Sequence, residues 1–94
     1  MFAKQLFYNC LMREVQGLSK AFGRVIAELR AKRGLSQEQL AEAIDSTNVY
    51  ISLLENGQRK PSLNATILIA QSLKIQPDRL VRDVADLIEH NKST

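Results

Sequence analysis

Phe22, Val25, Ile26 and Leu29 recur at i, i+3, i+4 and i+7, the spacing that lines one face of an α-helix. The signature returns along the chain. Leu40, Ala41 and Ile44 make a second stripe, and Tyr50, Ile51 and Leu54 a third. Leu63, Ile67, Ala70 and Leu73 mark the expected inner side of a fourth helix, and Leu80, Val81, Val84, Leu87 and Ile88 form the apolar stripe of a fifth. The strict apolar alternation of a half-buried strand is nearly absent, so the pattern predicts an all-α fold of five helices. A chain of 94 residues suits one small domain. With three Phe, two Tyr and no Trp, its core is expected to be aliphatic.

Start and stop signals divide the stripes. Ser19 is the expected N-cap of the first helix, and Gly34, after Arg30-Ala31-Lys32-Arg33, its stop, with the cations set on the helix C-terminal dipole. Ser36 stands three residues before Gln39, the spacing of a capping box. Asp45-Ser46-Thr47 interrupts the second helix, Thr47 caps a third that ends at Asn56-Gly57, Pro61-Ser62 restarts the chain, and Pro77 takes the first position of the fifth helix. The organisation expected is an N-terminal extension over 1–18, a domain over 19–90 and a loose tail over 91–94. In the extension Phe2, Leu6, Cys10 and Leu11 fall at helical spacing. Two readings of it stand open: a helix that docks on the domain or on a second copy, or a frayed extension ahead of Met12.

Charge narrows the class of partner. The net charge is +3, and its excess lies early: residues 19–60 hold seven Lys or Arg against five Asp or Glu, whereas 61–94 hold four of each. That balance permits a polyanion without demanding one. Cys10 is the single cysteine, so an intrachain disulfide is excluded and a reducing cytoplasm is the expected compartment. No run approaches the ~18 apolar residues of a membrane span, and MFAKQLFYNCLM lacks the pattern of a secretory signal. There is no nucleophile–base pair at a credible spacing, no metal-ligand cluster around the lone His90 and no glycine-rich phosphate loop. Asp83, Asp86 and Glu89 are spaced as a solvated helix face. An enzyme, a metal and a cofactor are therefore not expected.

Gln37, Leu40, Ala41, Ile51, Leu54 and Glu55 hold a fixed register with Arg30, Gly34, Leu35, Ser36, Tyr50, Ser52, Gly57 and Pro61-Ser62-Leu63. That register resembles the Xre/Cro-type helix-turn-helix family of lambdoid phage repressors, whose pattern restriction–modification controller proteins and many small bacterial regulators share. The resemblance covers roughly residues 20–80. It implies a lambda-repressor-like domain of five helices in which Ala41 lets two helices cross closely and Leu40, Ile51 and Leu54 lock them to the core. The third helix would enter the major groove of double-stranded DNA, with Thr47, Asn48, Val49 and Leu53 toward the bases. Ser36, Gln37, Ser52, Asn56, Arg59 and Lys60 would face phosphates.

Two positions depart from the family pattern: Asp45 stands where glycine is usual in a left-handed turn, and Ser46 where an apolar residue is usual. Asp tolerates the left-handed region, so the turn should survive. Asn48 can pair with adenine, whereas Val49 and Leu53 can touch only thymine methyls, so an A/T-leaning site is expected. The function so implied is a cytoplasmic transcriptional regulator, a repressor type, bound as a homodimer to a two-fold operator, with Val81, Leu87 and Ile88 as candidates for the dimer contact. The alternative from another class is an antitoxin-like interaction module that holds a partner protein through Phe2–Leu11.

Overall fold

In the computed structural model residues 13–93 are described. The expectations for the apolar stripe Phe2–Leu11 lie outside the described residues. Five helices follow in order: α1 Leu18–Lys32, α2 Gln37–Ala43, α3 Asn48–Glu55, α4 Leu63–Ser72 and α5 Pro77–Ser93. Among the described residues there is no strand, and no helix is long and apolar enough to cross a membrane.

Local chemistry explains most of the boundaries. The Ser36 hydroxyl accepts the Gln39 N–H at 3.0 Å while the Gln39 side chain accepts the Ser36 N–H at 2.8 Å, which completes the capping box and starts α2. Thr47 Oγ1 accepts the Tyr50 N–H at the start of α3, and Ser62 Oγ accepts the Ala65 N–H at the start of α4. Asp45 does adopt the left-handed conformation, φ 58°, and lets the Ser46 N–H return to the Ala41 carbonyl at 2.8 Å. The turn between α2 and α3 therefore closes without glycine.

Three boundary or facing expectations are corrected. The first helix begins at Leu18, after a left-handed Gly17 that supplies no side-chain cap, so Ser19 lies inside the first turn. Leu18 packs against the core, which draws the helix start two residues earlier. At the other end, α5 continues through Ser93 rather than loosening after His90; Ile88 anchors its last turns in the core, and His90 and Lys92 sit favourably on its C-terminal dipole. On α4 the expected inner side is rotated. Leu63 is 73% exposed and Ile67 sits at the surface, while Ala65, Thr66, Ile69, Ala70 and Leu73 are buried. Thr66 can occupy this inner row because its hydroxyl donates to the Ser62 carbonyl at 2.8 Å.

Ile26, Leu40, Ile51, Leu54, Ile69, Leu73 and Leu80, drawn from all five helices, are fully buried. Packing runs from α1 to both α3 and α5, from α2 to α3, and from α4 to α2 and α5. Arg33, expected to serve only the end of its own helix, instead reaches α4: its Nε donates to the Leu73 carbonyl at 2.8 Å and Nη2 to that of Lys74 at 3.3 Å. It thereby satisfies carbonyls that the end of α4 leaves open, beside a left-handed Lys74.

Candidate nucleic-acid interface

The α2–turn–α3 unit is fastened to α1 at a single seam. Gly23, in the middle of α1, is buried, and a Cβ there would collide with the carbonyl oxygens of Leu54 and Glu55, at 2.6 Å from the latter. Only glycine allows so close an approach of the two backbones. A polar network sits beside it. Arg30 Nε donates to Glu55 Oε2 at 2.6 Å and Nη2 to Oε1 at 3.1 Å, while Nη1 donates to the Leu35 carbonyl at 2.7 Å. Gln37 Nε2 donates to the same Glu55 Oε1 at 2.9 Å. The Glu55 side chain is 7% exposed. Its hydrogen bond to Arg30 raises the arginine's already high pKa.

The far end of α3 is open. Thr47, Asn48 and Val49 are exposed, Val49 at 65%. Ile51 and Leu54 are fully buried, and Leu40 and Ala41 lie against them in the core, as expected of the motif's inner residues. Of the residues expected to face bases, Leu53 differs from the others: it is half-buried, since it lies on the flank of α3, nearer the core than Asn48 and Val49.

The residues expected at phosphates are similarly divided. Ser36 is exposed but its hydroxyl is engaged in the capping box, and Gln37 is half-buried with its amide on Glu55. Ser52 is half-buried and accepts a long contact, 3.5 Å, from the exposed Asn56 Nδ2. Arg59 and Lys60 are exposed on the loop after α3 but have different neighbours. The Arg59 guanidinium lies over the Tyr50 ring, 5.6 Å from its centroid, whereas Lys60 Nζ pairs with Glu14 Oε2 at 3.1 Å.

Sequence alone leaves Gly23 unassigned, and it places Arg30, Glu55 and Tyr50 in the helical register without the contacts they make here. Gly23 carried one visible signal, a glycine within an otherwise apolar helical stripe. Arg30 and Glu55 stand 25 residues apart, so their pairing had no local signature.

Two short helices packed together, with Leu40, Ala41, Ile51 and Leu54 in the core and the start of the second helix exposed, are the architecture of a helix-turn-helix domain. A family model described as Helix-turn-helix matches residues 26–80, more than half of the chain. The chain belongs to that family, of the Xre/Cro type, and to its DNA-binding transcriptional regulators. It is 38% identical over 61 residues to the control protein C.BamHI of Bacillus amyloliquefaciens, covering 64% of this chain and 75% of that one. Among solved structures it is similar to the restriction–modification controller protein C.AhdI of Aeromonas hydrophila, at TM-score 0.63 and 41% identity over 68% of this chain and 91% of that one. The clp gene regulator ClgR of Corynebacterium glutamicum shares the fold, with TM-score 0.76 at 24% identity over 81% of each chain.

Proposed function

We propose that the protein binds double-stranded DNA sequence-specifically as a homodimer, each copy placing α3 in the major groove of one half of a two-fold operator. The observation that carries this reading is the asymmetry of α3. Its C-terminal end is immobilised on Gly23, Arg30 and Gln37, while Thr47, Asn48 and Val49 stand exposed at its N-terminal end. Helix-turn-helix readers address base edges with that end of the helix. Asn48 supplies a bidentate pairing with adenine, Val49 a contact to a thymine methyl, Thr47 a further polar contact, and Leu53 the apolar flank. Gln37, Ser52, Asn56, Arg59 and Lys60, with Ser36, line the edges where the phosphate backbones would pass. Transcriptional control then follows from occupancy of the operator, in keeping with C.BamHI being a control protein and C.AhdI a restriction–modification controller protein.

The homodimer rests on the outer face of α4 and α5. Leu63, Ile67 and Val81 are exposed there, and Leu63 and Val81 line an apolar groove of about 260 Å³ with Leu18, Phe22, Pro61 and Val84. A second copy is the occupant we assign. A reading helix with one hydrogen-bonding reader and two apolar ones carries little sequence information, and pairing two half-sites about 34 Å apart doubles it. The three dimer candidates separate on α5. Val81 is exposed, Leu87 lies about 120° around the helix on the opposite edge, and Ile88 is 8% exposed within this chain's own core, where a mate has no access to it.

Selection of bound duplexes from a random pool tests the reading, followed by sedimentation of the complex. The expected outcome is a two-fold, A/T-leaning motif occupied by two copies, with Val81→Glu giving a monomer that binds one half-site weakly. Retention of random and selected duplexes alike would remove the sequence-specific reading. A dimer that survives Val81→Glu and is lost in Leu87→Glu would move the interface to the other edge of α5.

A further inference from the structure

We propose that Tyr50 is a positioning residue for Arg59, holding its guanidinium ready to clamp a DNA phosphate; the proposal rests on the DNA-binding reading above. Tyr50 and Arg59 come from different segments. Tyr50 belongs to the first turn of α3, half-buried and packed against the core, so its ring is a fixed surface. Arg59 follows the end of α3, where a left-handed Gly57, φ 73°, and the Gln58 N–H donating to the Leu53 carbonyl at 2.9 Å turn the chain back along the helix. The turn brings the guanidinium carbon to 5.6 Å from the ring centroid, within cation–π range.

The chemistry of the two side chains makes the contact useful. A guanidinium held over an aromatic ring by cation–π attraction spends no N–H on that contact, and its N–H fork remains to grip a phosphate. A long exposed arginine otherwise loses its rotamer freedom on binding, and a side chain already lodged on a rigid ring loses less. Lys60, next along the loop, is held differently, because the Glu14 carboxylate already compensates its charge. Arg59 has no carboxylate within ion-pair distance among the described residues. Of two adjacent cations on this loop, Arg59 is therefore the one presented in a set pose and with its charge uncompensated.

The test measures affinity for the selected duplex over a series of salt concentrations for Tyr50→Phe, Tyr50→Leu, Arg59→Ala, Arg59→Lys and the Tyr50→Leu/Arg59→Ala pair. Arg59→Ala should weaken binding about tenfold on all sequences and lower the slope of log K against log salt by about 1. Tyr50→Leu should weaken it about threefold without changing which bases are preferred, and Tyr50→Phe should match the parent, since the ring face is kept. The double variant should bind no worse than Arg59→Ala alone. Additive losses would overturn the proposal, and so would a loss in Tyr50→Phe equal to that in Tyr50→Leu, which would put the hydroxyl itself on DNA. If Tyr50→Leu fails to fold, Arg59→Lys decides: it keeps the charge and the salt slope but loses the planar guanidinium held over the ring, so affinity should fall about threefold, and unchanged affinity would overturn the proposal. Failure of the underlying DNA reading shows separately, as absence of sequence-selective binding by the parent protein.

Discussion

The two ends of α3 are built to opposite specifications. At its C-terminal end Leu54 is fully buried, the Leu54 and Glu55 carbonyls press on Gly23, and Glu55 holds Arg30 and Gln37. At its N-terminal end Thr47 caps the helix through one hydrogen bond at 3.2 Å, and Asn48 and Val49 project into solvent. The difference separates two tasks within eight residues. The held end fixes where the helix points, and the open end can vary in sequence without disturbing the fold.

If the seam is what aims α3, the largest loss of stability should come from its narrowest point. Gly23→Ala places a methyl against two backbone carbonyls that cannot rotate away, so α1 and α3 must part. Overpacking of this kind costs about 3 kcal/mol, which in a domain of this size lowers Tm by more than about 10 °C. Thermal unfolding followed by circular dichroism checks it. A variant as stable as the parent would mean that the seam yields easily and that α3 is aimed by other contacts.

Glu55→Ala should rank next. It removes the acceptor of three hydrogen bonds and leaves the Arg30 guanidinium, 20% exposed, without its partner. Because solvent still reaches Arg30, the expected loss is about 2 kcal/mol rather than the larger figure for a fully buried pair. Urea unfolding measures it. The loss should shrink in an Arg30→Met background, where no charge is left behind, and an equal loss in both backgrounds would show that Glu55 acts through packing alone.

Which of these features could be read before the fold was known follows from how far apart their parts lie in the chain. The starts of α2, α3 and α4 were legible because each depends on a side chain bonding a backbone N–H three residues on: Ser36, Thr47 and Ser62. The left-handed turn at Asp45 was legible through the family resemblance, and the inner residues Leu40, Ala41, Ile51 and Leu54 through helical spacing together with that resemblance. The face of α4 was not. Its apolar residues surround more than one side, and the buried row includes Thr66, whose fitness for the core depends on a hydrogen bond that composition does not reveal. On α5 the apolar stripe is wide enough that periodicity alone could not separate buried Ile88 from exposed Val81. The pairing of Gly23 with α3, of Arg30 with Glu55 and of Arg33 with the end of α4 joins segments that meet only in the fold. In the candidate interface the positions proposed to face bases share one short helix and so could be named together from the sequence, whereas the Tyr50–Arg59 contact could not, because a turn assembles it.

The open end should give the smallest effect on stability and the largest on selectivity. Asn48 is exposed and heads α3 directly after the Thr47 cap, so Asn48→Ala removes no buried contact and should change unfolding free energy by less than about 0.5 kcal/mol. On DNA the same truncation removes a bidentate donor and acceptor. Discrimination at one base pair of each half-site should fall by roughly 1–3 kcal/mol, with affinity for random duplex unchanged. Competition binding with duplexes altered one position at a time reads this directly. A uniform loss across all positions would assign Asn48 to the phosphate backbone, and a marked loss of stability would mean that the N-terminal end of α3 is held after all. With Gly23→Ala destabilising the domain and Asn48→Ala leaving its stability unchanged, folding and reading would be assigned to opposite ends of one helix.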